Sequence, residues 1–197
     1  ELVFDINERN NIIITYNLYK QDLSFLSDHV LEELVDVYRR KELFTDAILI
    51  NNEIINRIKV DGLNLEKYII ALSNKAYLNE QIGNYNESLD IINQVIDLEL
   101  EIYEFADTNH LLSLAKKAKY LNHLGKYNDA LKIINSVISL ADEVFDIYNP
   151  SFSIMLGIKA AILSDLGFYN DALKLNQELL NRERRIFGEL SIQYITT

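Results

Sequence analysis

The stretch Gly83-Asn84-Tyr85-Asn86-Glu87-Ser88-Leu89 decides the fold, because it returns twice in the same chain. It reappears as Gly125-Lys126-Tyr127-Asn128-Asp129-Ala130-Leu131 and as Gly167-Phe168-Tyr169-Asn170-Asp171-Ala172-Leu173, each time 42 residues further on. A weaker copy lies upstream at Glu42-Leu43-Phe44-Thr45-Asp46-Ala47-Ile48, where Glu42 stands in the glycine column. A fixed period in this range is the signature of a repeat architecture, in which one small unit is stacked on copies of itself.

Other columns keep the same step. Leu31, Leu72, Leu114 and Leu156 form one before the turn, and Val35, Ala76, Ala118 and Ala160 another. After the turn come the apolar pairs Ile54/Ile55, Val95/Ile96, Val137/Ile138 and Leu179/Leu180, with Ile12/Ile13 fitting one period earlier. Within a unit the apolar residues recur at helical spacing, as in Leu111, Leu114, Ala115, Ala118, Leu121 and Leu124, and then Ala130, Leu131, Ile134, Val137, Ile138 and Ala141. The spacing predicts a first helix, a turn and a second helix per unit. Glycine past the first helix can take the left-handed backbone conformation that ends it. The Asn128-Asp129 and Asn170-Asp171 pairs are expected to cap the second helices. The aromatics Phe44, Tyr85, Tyr127 and Tyr169 are expected to plug each turn, and the small residues to let paired helices approach closely.

Composition agrees. Of 197 residues 49% are hydrophobic, enough for a continuous core, and six glycines with one proline leave little material for sandwich loops. Nineteen basic against thirty acidic residues give a formal net charge of −11, which disfavours a phosphate backbone or an anionic membrane surface as partner. No apolar run approaches the roughly 20 residues of a membrane span. There is no cysteine, so disulfides, thiolate zinc sites and cysteine nucleophiles are excluded within this chain. His29, His110 and His123 share no helical face, and no nucleophile motif or phosphate loop is present, so neither a metal, a cofactor nor catalysis is expected. The expected compartment is the cytoplasm.

With these columns placed, the sequence resembles the tetratricopeptide repeat family over about residues 28 to 190. The Leu114, Ala118, Gly125-Lys126-Tyr127 and Ala130 set answers the family pattern, as does the Leu156, Ala160, Gly167-Phe168-Tyr169 and Ala172 set. The family period is ~34 residues. Asn51, Ile92, Ile134 and Asn176 replace its Phe-type position, and its closing proline is absent. The longer step looks like the kinesin-light-chain subclass, and Asp146-Ile147-Tyr148-Asn149-Pro150 approximates that subclass's connector.

The resemblance implies an all-α, right-handed superhelical solenoid of antiparallel hairpins, with about four full repeats plus a leading helix. The expected division is a second helix at 1–20, repeats at 28–62, 65–105, 108–147 and 151–188, and the start of a further unit or cap at 189–197. Because the chain opens on Glu1 rather than Met and its phase starts mid-repeat, it is expected to be an excised stretch of a longer array. The resemblance further implies a protein-interaction scaffold whose first helices line a concave groove for a partner peptide or domain. Two other readings stand beside it, a regulatory module governing an effector enzyme outside this chain, such as a caspase-like protease, and a structural array that associates with copies of itself.

On the first helices, the positions beside the packing columns should face that groove. The candidates for partner contact are Arg39, Asn74, Tyr77, Lys116, Lys119 and Asn122. Only Asn74 matches the subclass's amide pair that holds a peptide backbone. Lys116 and Lys119, one turn apart on a strongly acidic chain, form a positive spot suited to an acidic partner.

Overall fold

The computed structural model describes residues 23–62, 64–102, 107–144 and 149–187. The expectations for 1–20 and 189–197 lie outside them. Among the described residues the chain is wholly helical: α1 (Asp28–Arg40), α2 (Phe44–Val60), α3 (Leu65–Gln81), α4 (Tyr85–Ile102), α5 (Thr108–His123), α6 (Tyr127–Val144), α7 (Pro150–Asp165) and α8 (Tyr169–Phe187). They alternate as four first and four second helices, an all-α helical-repeat fold.

Each first helix opens on a side-chain cap. Ser27, Asn64, Asp107 and Asn149 accept from the backbone N–H groups of Val30, Lys67, His110 and Ser151, each satisfying a donor that the helix itself leaves unpaired. In α7 the cap is followed by Pro150 at the first helical position, where its missing N–H costs nothing.

Each first helix also closes in the same way. The amide of Gly125 donates to the Asn122 carbonyl and that of Lys126 to the Leu121 carbonyl, both at 2.9 Å. The same pair of bonds is made by Gly83 and Asn84, by Gly167 and Phe168, and by Glu42 and Leu43. This is the Schellman closure, which requires a left-handed residue one past the cap. Gly83, Gly125 and Gly167 have φ of 79°, 75° and 83°, and Glu42 fills the role with φ 59°, the one non-glycine residue with positive φ among the described residues. The repeated motif is therefore a hydrogen-bonding device as much as a sequence pattern.

The second helices begin two residues earlier than the Asn-Asp pairs suggest. The carbonyls of Asn84, Lys126 and Phe168 already accept from Ser88, Ala130 and Ala172, so Asn128 and Asn170 sit in the first turn rather than at the cap. The residue after the Schellman glycine has become the cap, because the closing turn leaves only that one residue between the glycine and the second helix.

The chain divides into two compact units, residues 1–91 and 92–197, the division falling within α4. In the first unit α2 packs on both α1 and α3. Its core holds Leu31, Leu34, Ala47, Ile50 and Ala76. Arg57 on α2 ties down the turn that precedes α1: it donates to the carbonyls of Leu23 and Leu26, both at 2.7 Å, and pairs with Asp28 and Glu53, both at 2.9 Å. Ser88, at the alanine column of α4, is buried and donates its hydroxyl to the Ala76 carbonyl at 2.9 Å. The Phe-type position of α2 holds Asn51, whose amide donates to the Ala71 carbonyl of α3 at 2.9 Å. That link joins a second helix to the first helix of the next repeat.

In the second unit α6 packs on α5 and α7, α8 packs on α7, and the two first helices α5 and α7 also touch. Leu111, Ala118, Ala130, Ile134, Val137, Ala141 and Ile162 form its core. Leu114, in the leucine column, is only half-buried. The guanidinium of Arg182 on α8 lies 4.5 Å from the centre of the Phe152 ring on α7. Tyr127 is half-buried in its turn, as Phe44 and Tyr85 are in theirs, but Tyr169 is 69% exposed, so the plugging role expected of the aromatic column fails at its last member. Tyr127 belongs to a helix covered by the following first helix, α7; no described helix follows α8.

Candidate functional site

Two clefts open between consecutive first helices, one in each unit. In the first unit a cleft of about 440 Å³ lies between α1 and α3, with α2 beneath. Val35, Ile54, Ile58 and Ala71 supply an apolar surface, and Asp28, Glu32 and Asp36, spaced one turn apart along α1, line one side. Lys67 and Asn74 line the other. Two of the acids are engaged: Asp28 with Arg57, and Asp36 with Arg39 at 2.9 Å. Ile70, also in the lining, is 60% exposed and offers an unoccupied apolar contact.

In the second unit a cleft of about 350 Å³ lies between α5 and α7. Lys119, Asn122 and His123 come from α5; Ile154, Gly157, Ile158, Ala161 and Asp165 are among those from α7. Asn122 is buried and its amide donates to the Asp165 carboxylate, which fixes the amide's orientation.

Of the expected contact residues, Asn74, Lys119 and Asn122 line a cleft. Arg39, Tyr77 and Lys116 do not border either one: Arg39 is occupied by Asp36, Tyr77 stands partly exposed on α3, and Lys116 is half-buried on α5. Asn122 is also tied to Asp165 of the next first helix through its amide. Ile70, Ile154 and Asp165 were not singled out by sequence; the signal available was that Ile70 and Ile154 are large apolar residues off the packing columns.

A polar cluster is buried in the second unit. Glu99, near the end of α4, accepts from the Ser113 hydroxyl at 2.8 Å and lies 3.2 Å from Nδ1 of His110, both on α5. Burial pushes the Glu99 carboxyl above its ordinary range, opposed by the Ser113 hydrogen bond and by His110, with Asp107 pushing the same way as burial. The serine hydroxyl points its proton at the carboxylate and not at the imidazole, so the trio does not have the hydrogen-bond order of an activated nucleophile. Among the described residues no three His, Asp or Glu side chains gather where they could hold a metal ion. No helix of the described residues is long and apolar enough to cross a membrane.

The arrangement resembles solved helical-repeat structures. The nearly identical TPR-like repeats of a Podosopora anserina protein described as a kinesin light chain superpose with a TM-score of 0.67 at 13% identity, covering 92% of this chain and 88% of that one. The fold is the tetratricopeptide-repeat fold. The TPR-like likeness extends to BtubC (BKLC) from P. vanneervenii, with TM-score 0.64, 11% identity and coverage of 94% and 72%. It also extends to MamA, with TM-score 0.60, 17% identity and coverage of 94% and 91%. The sequence matches no protein-family model, and no curated protein matches it.

Proposed function

We propose that this TPR-like chain is a protein-interaction scaffold that holds a peptide segment or domain of a partner against its first helices. The observation that carries this reading is the recurrence of a cleft between consecutive first helices, α1 with α3 and α5 with α7, each combining apolar lining with polar side chains. Such a mixture suits capture of an extended segment, with apolar side chains giving affinity and polar groups fixing its orientation. Lys116 and Lys119 on α5 favour acidic character in the partner there. The 42-residue step supports a kinesin-light-chain-like type of repeat, and the array reading takes residues 1–197 as one unit of function in the cytoplasm.

The test is affinity capture from native lysate followed by reconstitution with the purified partner. Asn74→Ala combined with Lys119→Glu is expected to raise the dissociation constant at least tenfold, and an unchanged value removes the first-helix site. A second reading, self-association, is favoured by α8, where Tyr169 is 69% and Leu173 57% exposed although their counterparts Tyr127 and Leu131 are half-buried. Sedimentation over a hundredfold concentration range separates the two; a strict monomer excludes the second.

A further inference from the structure

The repeat itself says which residues the cleft between α1 and α3 would carry if it served packing alone. Its lining residues have counterparts in the second unit, 83 positions on from α1 and α2 (as Leu31 to Leu114) and 84 on from α3 (as Leu72 to Leu156). Asp28, Glu32 and Asn51 stand where the second unit has Leu111, Ala115 and Ile134, all three 0% exposed, and Asn74 stands where α7 has Ile158. Four positions that are apolar in the second unit are thus polar in the first, and all four border one cleft. Departures from the pattern that serves packing concentrate where a protein does something else.

Some of these polar groups are satisfied within the fold. Asp28 pairs with Arg57, Asp36 with Arg39, and the Asn51 amide is spent on the Ala71 carbonyl. The Glu32 carboxylate and the Lys67 ammonium pair neither with each other nor with any other described residue. Lys67 also lies in the first turn of α3, where the helix dipole disfavours a cation and favours an anion brought in beside it. Glu32 shares the column of Ser73, so it lies level with Asn74, seven residues and about 10 Å along α3 from Lys67. Between these two ends lie Ile70 and Ala71, with Val35, Ile54 and Ile58 behind them. The cleft is therefore charged at both ends, with opposite signs, and apolar in the middle.

We infer that the cleft between α1 and α3 binds a small zwitterion of the ω-amino-acid class, with its carboxylate at Lys67, its ammonium at Glu32 and its methylene chain over Ile70 and Ala71. The separation of the two ends selects the length of the molecule. An α-amino acid carries both charges on one carbon and meets one end at a time, and a simple amine or acid leaves the other end unmet. The middle selects the chain: the Asn51 amide and the Ala71 carbonyl already serve each other, so a methylene chain fits where a peptide bond would lose its hydrogen bonds. A cleft of about 440 Å³ has room for such a molecule. The inference goes beyond the scaffold reading, because a ligand of this kind binds whether or not a partner is held.

The test follows the amide NMR spectrum of the whole chain during titration with ω-amino acids of increasing length, from β-alanine to ε-aminocaproate. Leucine, alanyl-alanine, hexylamine and hexanoate serve as comparisons. The expected result is saturable shifts confined to the first unit, tightening with chain length, and at least tenfold weaker binding of all four comparison molecules. Glu32→Ala and Lys67→Ser install the second unit's own residues, Ala115 and Ser151, at two exposed positions. Each is expected to raise the dissociation constant of ε-aminocaproate at least tenfold without lowering the melting temperature, a combination that purely structural charges would not give. No saturable shift with any ω-amino acid, or shifts that both variants leave unchanged, overturns the site. Equal binding of hexylamine or hexanoate reduces it to a single charge contact, and equal binding of leucine or alanyl-alanine removes the ω-amino-acid assignment. All of these failures leave partner capture, which is read by separate variants, standing.

Discussion

Glycine in place of Glu42 should stabilise the first unit. Glu42 makes both bonds of the α1 closure possible, with its own amide 3.1 Å from the Arg39 carbonyl and that of Leu43 2.9 Å from the Tyr38 carbonyl, but it does so at φ 59°. A left-handed conformation costs a residue with a β-carbon roughly 1–2 kcal/mol. Glycine removes that cost and returns about 0.4–1 kcal/mol of it through the greater freedom of the unfolded chain. The net expectation is a gain of about 0.5–1 kcal/mol. The mirror experiment is Gly125→Ala in the second unit, where an added β-carbon has nothing within 4 Å, so the whole effect is backbone strain. Its expected cost is about 1 kcal/mol. Urea unfolding followed by circular dichroism, with global fits that allow the two units separate transitions, reads both. A Glu42→Gly variant that is neutral or destabilised, beside a destabilised Gly125→Ala, would refute the equivalence of the two closures. It would mean that the Glu42 side chain contributes something the glycine copies lack.

Two further outcomes follow from the polar side chains of Arg57 and Glu99. Arg57→Ala removes four hydrogen bonds, two of them to backbone carbonyls of the turn before α1, and should cost about 2–3 kcal/mol in the same unfolding assay, with Arg57→Lys recovering only part. Glu99 has its folded pKa raised, chiefly by burial, so its contribution to stability is complete below the ordinary glutamate value and is lost as pH rises through the folded value. Glu99→Gln cannot ionise, so its stability relative to the unaltered chain should grow as pH is raised from about 4 towards neutrality. A difference that shrinks over that range would show that the attraction to His110 outweighs burial.

The fold was legible because its punctuation depends on backbone geometry, which few residue types satisfy. Glycine three times at one step announces a left-handed residue, and the register alone identified Glu42 as the fourth, although nothing about glutamate suggests that conformation. The small-residue column was equally plain, since Ala76, Ala118 and Ala160 are buried in the structure. What the sequence concealed lies in polar side chains that take over apolar columns. Asn51 reads as a departure from the repeat pattern, yet its amide reaches the Ala71 carbonyl 20 residues away. Ser88 reads as a substitute alanine, yet its hydroxyl reaches Ala76. Periodicity reports which residues face inward and not which atoms they meet.

The site was legible only in outline for the same reason. First-helix positions beside the packing columns could be named, and Asn74, Lys119 and Asn122 do line clefts. Asn122 could not be foreseen as a tethered residue, because its partner Asp165 lies 43 positions away on the next first helix. Arg39 and Tyr77 share the right face by spacing but lie off the cleft, one of them paired along its own helix with Asp36.

The capped start and Schellman end of each first helix also define where this gene can be cut and rejoined without damage. A recombination that exchanges the segment beginning at Asp107 for the segment beginning at Asn149 carries over a whole set of donors and acceptors: one side-chain cap, one left-handed residue and one small-residue contact. A break inside a helix separates a cap from the amide it serves. The chain is thus divided, at the level of hydrogen bonds, into interchangeable parts, and insertion or loss of a full period is the change in length that its backbone tolerates best.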